Sequence, residues 1–235
     1  MPVTALIADR EYPLCDIPQP LDDPALLSGS GPWEVEIGFG KAKYLLRRAA
    51  DEPRNRFLGV EMANAYYRTA AKRARRQGLQ NVVLVRGEAL FVISTLLPAQ
   101  FADAVHVYFP DPWPKARHQK RRLFDPETVD LVLGLLNPDG VLYFATDHLD
   151  YGEVVCELLD SHPAVGFREM HGPWEDGPRT NYEAKYESEG RPILRVEVQR
   201  LTTDITQLIH PQGAAGIISA NRRRKAKPQD KATAG

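Results

Sequence analysis

Short apolar runs alternate with longer amphipathic stretches through the middle of the chain. Trp33–Ile37, Phe57–Val60, Val82–Val85, Ala104–Phe109 and Val141–Ala145 are rich in β-branched residues and nearly all apolar, as strands covered on both faces should be. Between and after them, segments at about Lys41–Ala50, Asn64–Gln77, Ala89–Leu97, Pro126–Leu136 and Tyr151–Asp160 read as helices. This strict alternation predicts an α/β fold with a doubly wound, mainly parallel sheet. The run Leu194-Arg195-Val196-Glu197-Val198-Gln199 differs, because apolar and polar residues alternate in it. It predicts a strand with one solvated face, antiparallel to its neighbours and near one edge of the sheet.

The flanks break the pattern. Residues 1–31 are rich in Pro and Asp, end in Ser28-Gly29-Ser30-Gly31, and read as an extended lead-in. Residues 32–205 form the expected domain. Residues 206–235 thin into Gly, Ala and a basic cluster, Arg222-Arg223-Arg224-Lys225 with Lys227, and read as a disordered tail.

Composition narrows the classes. A chain of 235 residues with 43% hydrophobic and 26% charged residues suits a folded domain with one sizeable core. Lys and Arg total 30 against 31 Asp and Glu, a net charge of −1, so the overall basic character of many nucleic-acid binders is absent. Cys15 and Cys156 are too few and too far apart for a disulfide framework. The six histidines show no metal-ligand spacing, so no metal is expected. The start lacks a signal-peptide pattern, and no apolar run approaches the ~20 residues that span a bilayer. The expectation is a cytoplasmic protein without a membrane partner, monomeric or homodimeric.

Three places carry candidate chemistry. In Glu34-Val35-Glu36-Ile37-Gly38-Phe39-Gly40-Lys41, a glycine turn joins the first central strand to its helix, where doubly wound sheets bind nucleotides. Lys43 stands where a dinucleotide fingerprint needs its third glycine, and Glu36 repels phosphate and suits a cationic ligand. An ordinary strand-to-helix turn has the same look. Glu61 ends the second central strand, where a carboxylate can accept both hydroxyls of an adenosine ribose or cap the next helix. Glu88 follows the third, as a contact to the adenine end of a ligand or as a helix-start acid. The third place is Phe109-Pro110-Asp111-Pro112-Trp113-Pro114-Lys115, whose prolines freeze the backbone around one acid. A basic run follows, with Lys115, Arg117, His118, Lys120, Arg121 and Arg122 and no acid before Asp125. Beside a rigid acid at a strand end, it reads as a phosphate-binding surface.

The segments EIGFG, GVE, FPDPWPKARHQKRRLF, ATD and TNYEAKYE together resemble the bacterial tRNA (guanine-N7-)-methyltransferases over roughly residues 33–200. The proline-rich segment with its basic run is the most specific part. The resemblance implies a Rossmann-like methyltransferase fold, S-adenosylmethionine as donor, S-adenosylhomocysteine as product, tRNA as partner, and methylation of guanine N7 at position 46 in the variable loop. It implies donor binding by Glu36, Gly38, Gly40, Glu61, Glu88 and Asp111, with Asp111 also catalytic. Lys115, Asp147, Thr180, Asn181, Tyr182 and Glu183 match substrate-binding positions. Arg117, Lys120, Arg121 and Arg122 would hold tRNA phosphates, and Asp147 and Glu183 would accept from guanine N1 and N2. The chain departs from the family pattern at Glu88, usually Asp or Asn, and at Ala42, commonly Gly. The rival readings are an NAD-linked oxidoreductase, an RNA-binding module without donor, and an amino-methyltransferase.

Overall fold

A computed structural model describes residues 3–18, 21 and 26–201, with Phe167 and Arg168 described through their backbone only. The basic tail expected at 206–235 lies outside the described residues. The strands are β1 (Thr4–Ile7), β2 (Arg10–Pro13), β3 (Trp33–Ile37), β4 (Arg56–Glu61), β5 (Val82–Arg86), β6 (Ala102–Tyr108), β7 (Leu136–Thr146), β8 (Val165–Met170) and β9 (Leu194–Arg200). The helices are α1 (Lys43–Asp51), α2 (Asn64–Gln77), α3 (Ala89–Leu96), α4 (Pro126–Leu135), α5 (Leu149–Asp160) and α6 (Asn181–Ser188).

All nine strands join one sheet in the order β2-β1-β5-β4-β3-β6-β7-β9-β8. The five strands from β5 to β7 are parallel. β9 lies between β7 and β8 and is antiparallel to both, as its alternating sequence predicts. The lead-in expectation needs correction. β1 and β2 form a hairpin that extends the far edge, with Ala5 opposite Val85 and Leu6 opposite Leu84. Ala5, Leu6 and Ile7 are buried there, so this short apolar stretch gains more from docking on β5 than from staying extended.

Helices cover both faces, for reasons visible in the strands. Val35 and Ile37 of β3 pack with Val105, Val107, Leu142 and Phe144 into one large core. Val92, Val129, Leu133 and Val155 from α3, α4 and α5 complete that side. On the other face, Phe57 and Leu84 meet Leu45 and Leu46 of α1 and Tyr67, Ala70 and Ala74 of α2. Gly59 permits the close approach of α1, because a Cβ there would lie 2.5 Å from Leu45 and 2.6 Å from Phe39. Asp125 caps α4 by accepting from the Thr128 N–H, with Pro126 in its first turn. Gly78, with φ 66°, ends α2.

α2 holds together against its own charges. Arg68, Lys72 and Arg76 succeed one another at i,i+4, where each like-charge pair costs about 0.2–0.5 kcal/mol. Burial of Tyr67, Ala70, Ala71 and Ala74 on the opposite stripe offsets that cost. Among the described residues, no helix is long and apolar enough to cross a membrane.

Candidate active site

The chain leaves β3 toward β4 on one side, while β6 lies on the other, so their carboxyl ends flank the switch point where open α/β sheets bind ligands. Gly38 and Gly40 turn there with φ of 74° and 51°. A Cβ on either would meet nothing within 4 Å, so the backbone angle favours glycine and the space above the turn is open. Ala42 takes the same left-handed conformation, with φ 50°, and α1 starts only after it, two residues later than the pattern at Lys41 suggests.

Two acids frame this turn. Glu61 accepts from the Gly40 N–H at 2.9 Å and from the Ala63 N–H at 2.7 Å, which ties the turn to the start of α2. Each of its oxygens keeps a further lone pair for a ribose hydroxyl. Glu36 is buried and accepts from the Leu45 N–H at 3.1 Å. Burial pushes its carboxyl up to about 8; the Leu45 hydrogen bond opposes this and the Glu61 charge adds to it. A cationic group placed beside it would favour the carboxylate. Open space over two glycines, a tethered carboxylate and a buried acid suited to a cation fit S-adenosylmethionine, whose methionyl end carries a sulfonium and an ammonium. Glu88 caps α3, accepting from the Leu90 and Phe91 N–H groups at 3.2 and 2.9 Å. Of its two sequence readings, the geometry displays the helix-start acid.

Asp111 is exposed on the loop after β6. Phe109 and Trp113, which precede Pro110 and Pro114, both have left-handed backbones, with φ of 52° and 40°. Such strained positions cost of order 1–3 kcal/mol each and persist only where the surroundings hold them. Here the Phe109 N–H donates to the Ala145 carbonyl at 2.7 Å. Arg121 stacks on Trp113 at 4.9 Å, and His118 meets the same ring edge-on. Arg122, expected as a phosphate ligand, is half-buried and also has a structural role. Its Nε donates to the Pro112 carbonyl at 2.9 Å and its guanidinium lies 4.7 Å over Tyr151, so it braces the loop. Lys115, Arg117, Lys120 and Arg121 remain exposed.

The segment Thr180-Asn181-Tyr182-Glu183 opens α6. Thr180 caps the helix by accepting from the Glu183 N–H at 3.0 Å. Glu183 is fully buried; it accepts from the Arg179 N–H at 2.7 Å and pairs with Arg195 at 2.7 Å. In this structure it cannot take a hydrogen bond from a guanine, which corrects the expected base contact. The spacing is that of a capping box, a signal legible in the sequence. Asn181 and Tyr182 face outward, and Tyr182 lies beside Tyr66 of α2. Tyr67, one residue on, is buried and donates to Glu11. Asp147 is partly exposed near Arg191, 3.9 Å away.

Arg179 is the residue that sequence reasoning missed. Its guanidinium lies 4.1 Å over Trp174, 4.8 Å over Tyr143 and 5.2 Å over Tyr44. It donates to the Tyr108 hydroxyl at 2.7 Å, which contacts His106 Nδ1 at 2.9 Å, whose Nε2 lies 3.2 Å from Glu34. Burial holds His106 neutral. Glu34 accepts only, so each hydrogen points from Arg179 toward it. Burial resists ionisation of Glu34, but bonds from His106 and Arg48 outweigh that and hold it at about 2. This chain ties the loop before α6 to the centre of the sheet.

Residues 30–196 match the family described as "Putative methyltransferase". A tRNA (guanine-N(7)-)-methyltransferase of Nocardia farcinica is 39% identical over 194 residues, 81% of this chain and 71% of that one. The enzyme of the same name from Nitrosococcus oceani is 35% identical over 183 residues, 77% of each chain. The aminoglycoside resistance methyltransferase NpmB1 superposes with a TM-score of 0.56 at 17% identity, covering 85% of this chain and 100% of its own. A variant 16S rRNA (adenine(1408)-N(1))-methyltransferase from Catenulisporales acidiphilia, solved with cosubstrate SAM, gives 0.56 at 18%, covering 86% and 98%. These two share the Rossmann-like fold. By the match of its sequence over most of its length, the chain belongs to the tRNA (guanine-N(7)-)-methyltransferase family.

Proposed function

We propose that the protein transfers a methyl group from S-adenosylmethionine to N7 of a guanosine in the tRNA variable loop, position 46, in the cytoplasm. The observation that carries this reading is the juxtaposition at the switch point. The open Gly38–Gly40 turn, fastened by Glu61, lies at the end of β3, and the braced Asp111 loop leaves the adjacent β6.

Guanine N7 has an exposed lone pair, so the reaction needs no general base and no metal to generate a nucleophile. S-adenosylmethionine supplies a methyl group already activated on a sulfonium. Glu36, Glu61, Gly38 and Gly40 hold the donor. Asp111 orients the guanine edge and stabilises the positive charge that develops on the ring as N7 is alkylated. Asp147 accepts from guanine N1 or N2, which selects guanine over adenine. Thr180 and Glu183 act by building the start of α6, which presents Asn181 and Tyr182 to the substrate. Lys115, Arg117, Lys120 and Arg121 hold phosphates.

The test is mass analysis of nucleosides from unmodified tRNA incubated with protein and donor. N7-methylguanosine at position 46 is expected, with Asp111→Ala at least a hundredfold slower. Methylation at another atom, or tRNA binding without methylation, overturns the assignment.

A further inference from the structure

One charged surface is left unused by that reading. Arg68, Lys72 and Arg76 are exposed on α2 and have no acidic partner among the described residues. On one flank of α2, Arg73 enters a groove of about 530 Å³ shared with Lys43 and Arg47 of α1, where the one acid is Asp51. The helix has no acidic residue between Asn64 and Gln77, so it gains nothing from internal ion pairs and carries like-charge repulsion instead. A polyanion laid along it would relieve that repulsion.

Its position in the fold fits one polyanion. α2 begins at the candidate site, where Glu61 accepts from the Ala63 N–H at 2.7 Å and Tyr66 lies beside Tyr182. Arg76 lies ten residues further on, about 15 Å along the helix axis. The groove is tied to the substrate loop as well, since Lys43 donates to the Pro178 carbonyl at 3.3 Å and Arg47 pairs with Asp176 at 2.7 Å. The exposed cations of residues 115–121 follow β6, whereas α2 follows β4, on the opposite side of β3. Two basic surfaces therefore flank the switch point.

We infer that the exposed cationic face of α2 is a second tRNA-binding surface, which holds backbone phosphates beyond the loop that carries the target guanosine. This rests on the proposed tRNA activity. It assigns the 115–121 cations to the target loop and α2 to the body of the tRNA.

The experiment compares wild type with Arg68→Glu/Lys72→Glu/Arg76→Glu, and with the same three positions changed to Gln. All three side chains are exposed, so thermal unfolding is expected to match wild type or rise. With full-length tRNA, KM should rise at least tenfold, with kcat and S-adenosylhomocysteine affinity within twofold. The slope of log Kd for tRNA against log salt should flatten by roughly 2–3 for three lost phosphate contacts. A short hairpin containing only the target loop should show the same KM for wild type and variants. Unchanged KM and salt slope on full-length tRNA overturn the inference, as does an equal defect on the hairpin. A wild-type protein that makes no N7-methylguanosine in tRNA overturns the proposed function itself.

Discussion

Replacing Glu183 with glutamine separates a structural carboxylate from one that reads a base. Glu183 is fully buried, with one oxygen 2.7 Å from Arg195 Nε and the other 2.7 Å from the Arg179 nitrogen. Glutamine keeps the shape and can still accept from the Arg179 N–H, but it leaves the buried Arg195 guanidinium half compensated, by Glu187 alone at 2.5 Å. Breaking a buried pair costs about 3–5 kcal/mol, and the surviving Glu187 contact argues for the lower end, about 3 kcal/mol. For a chain of this size that is a fall in Tm of roughly 6–12 °C. The assay is thermal unfolding followed by circular dichroism, with kinetics measured at a temperature where the variant stays folded. Glu183→Leu combined with Arg195→Met should recover much of the loss, because no buried charge is then left without its partner. The reasoning is refuted if Glu183→Gln unfolds within about 1 °C of wild type yet loses a hundredfold in kcat/KM for tRNA. The carboxylate would then be acting on substrate.

Other expectations follow from the same geometry. Glu36, raised to about 8, holds a proton in the folded state that it releases on unfolding above pH 4.5. Its contribution to stability is therefore complete below pH 4.5 and lost as pH rises toward 8, and Glu36→Gln should flatten the fall of Tm between pH 5 and 8. If a cationic donor lies beside it, S-adenosylmethionine affinity in calorimetry should rise toward tenfold between pH 6.5 and 8, and that rise should vanish in the same variant. Gly40→Ala should lower Tm by about 2–8 °C through left-handed strain of roughly 1–2 kcal/mol. It should also weaken S-adenosylhomocysteine at least tenfold, since the new methyl enters the open space over the turn. Arg122→Ala should lower kcat and Tm together with little change in the salt dependence of tRNA binding. Arg117→Ala should leave Tm alone and flatten the salt slope by roughly 0.7–0.9.

The central strands were legible because burial on both faces leaves mostly apolar runs, and the glycine turn was legible because two glycines stand one residue apart where the first central strand gives way to its helix. What escaped did so for physical reasons. The β1–β2 hairpin turns at Ala8 with φ 51° and no glycine, so no turn signal marks it. Val165-Gly166-Phe167-Arg168-Glu169-Met170 is an edge strand with a register shift, too polar to stand out. β7 begins at Leu136, before the span Val141–Ala145, because Asn137-Pro138-Asp139-Gly140 looks like a turn and is one: Asp139 has φ 62°, yet Leu136 still pairs with Ala102. Within the site, Glu183 matched a motif whose positions were legible but whose geometry was not, since its partner Arg195 sits in another element. Arg179 left no trace in sequence, as its rings come from α1, β6, β7 and the loop at Trp174.

The place of β9 bears on how the molecule is made. β8 pairs with β9 and with no other strand among the described residues, and β9 closes the open edge of β7. A nascent chain that has emerged only through α5 contains all five parallel strands but presents β7 as a bare edge, a template for unwanted pairing. Synthesis of residues 194–200 caps that edge, recruits β8, and delivers Arg195 to Glu183 at the base of α6. The segment from β8 through α6 thus docks last, after the five parallel strands of the switch point are in place.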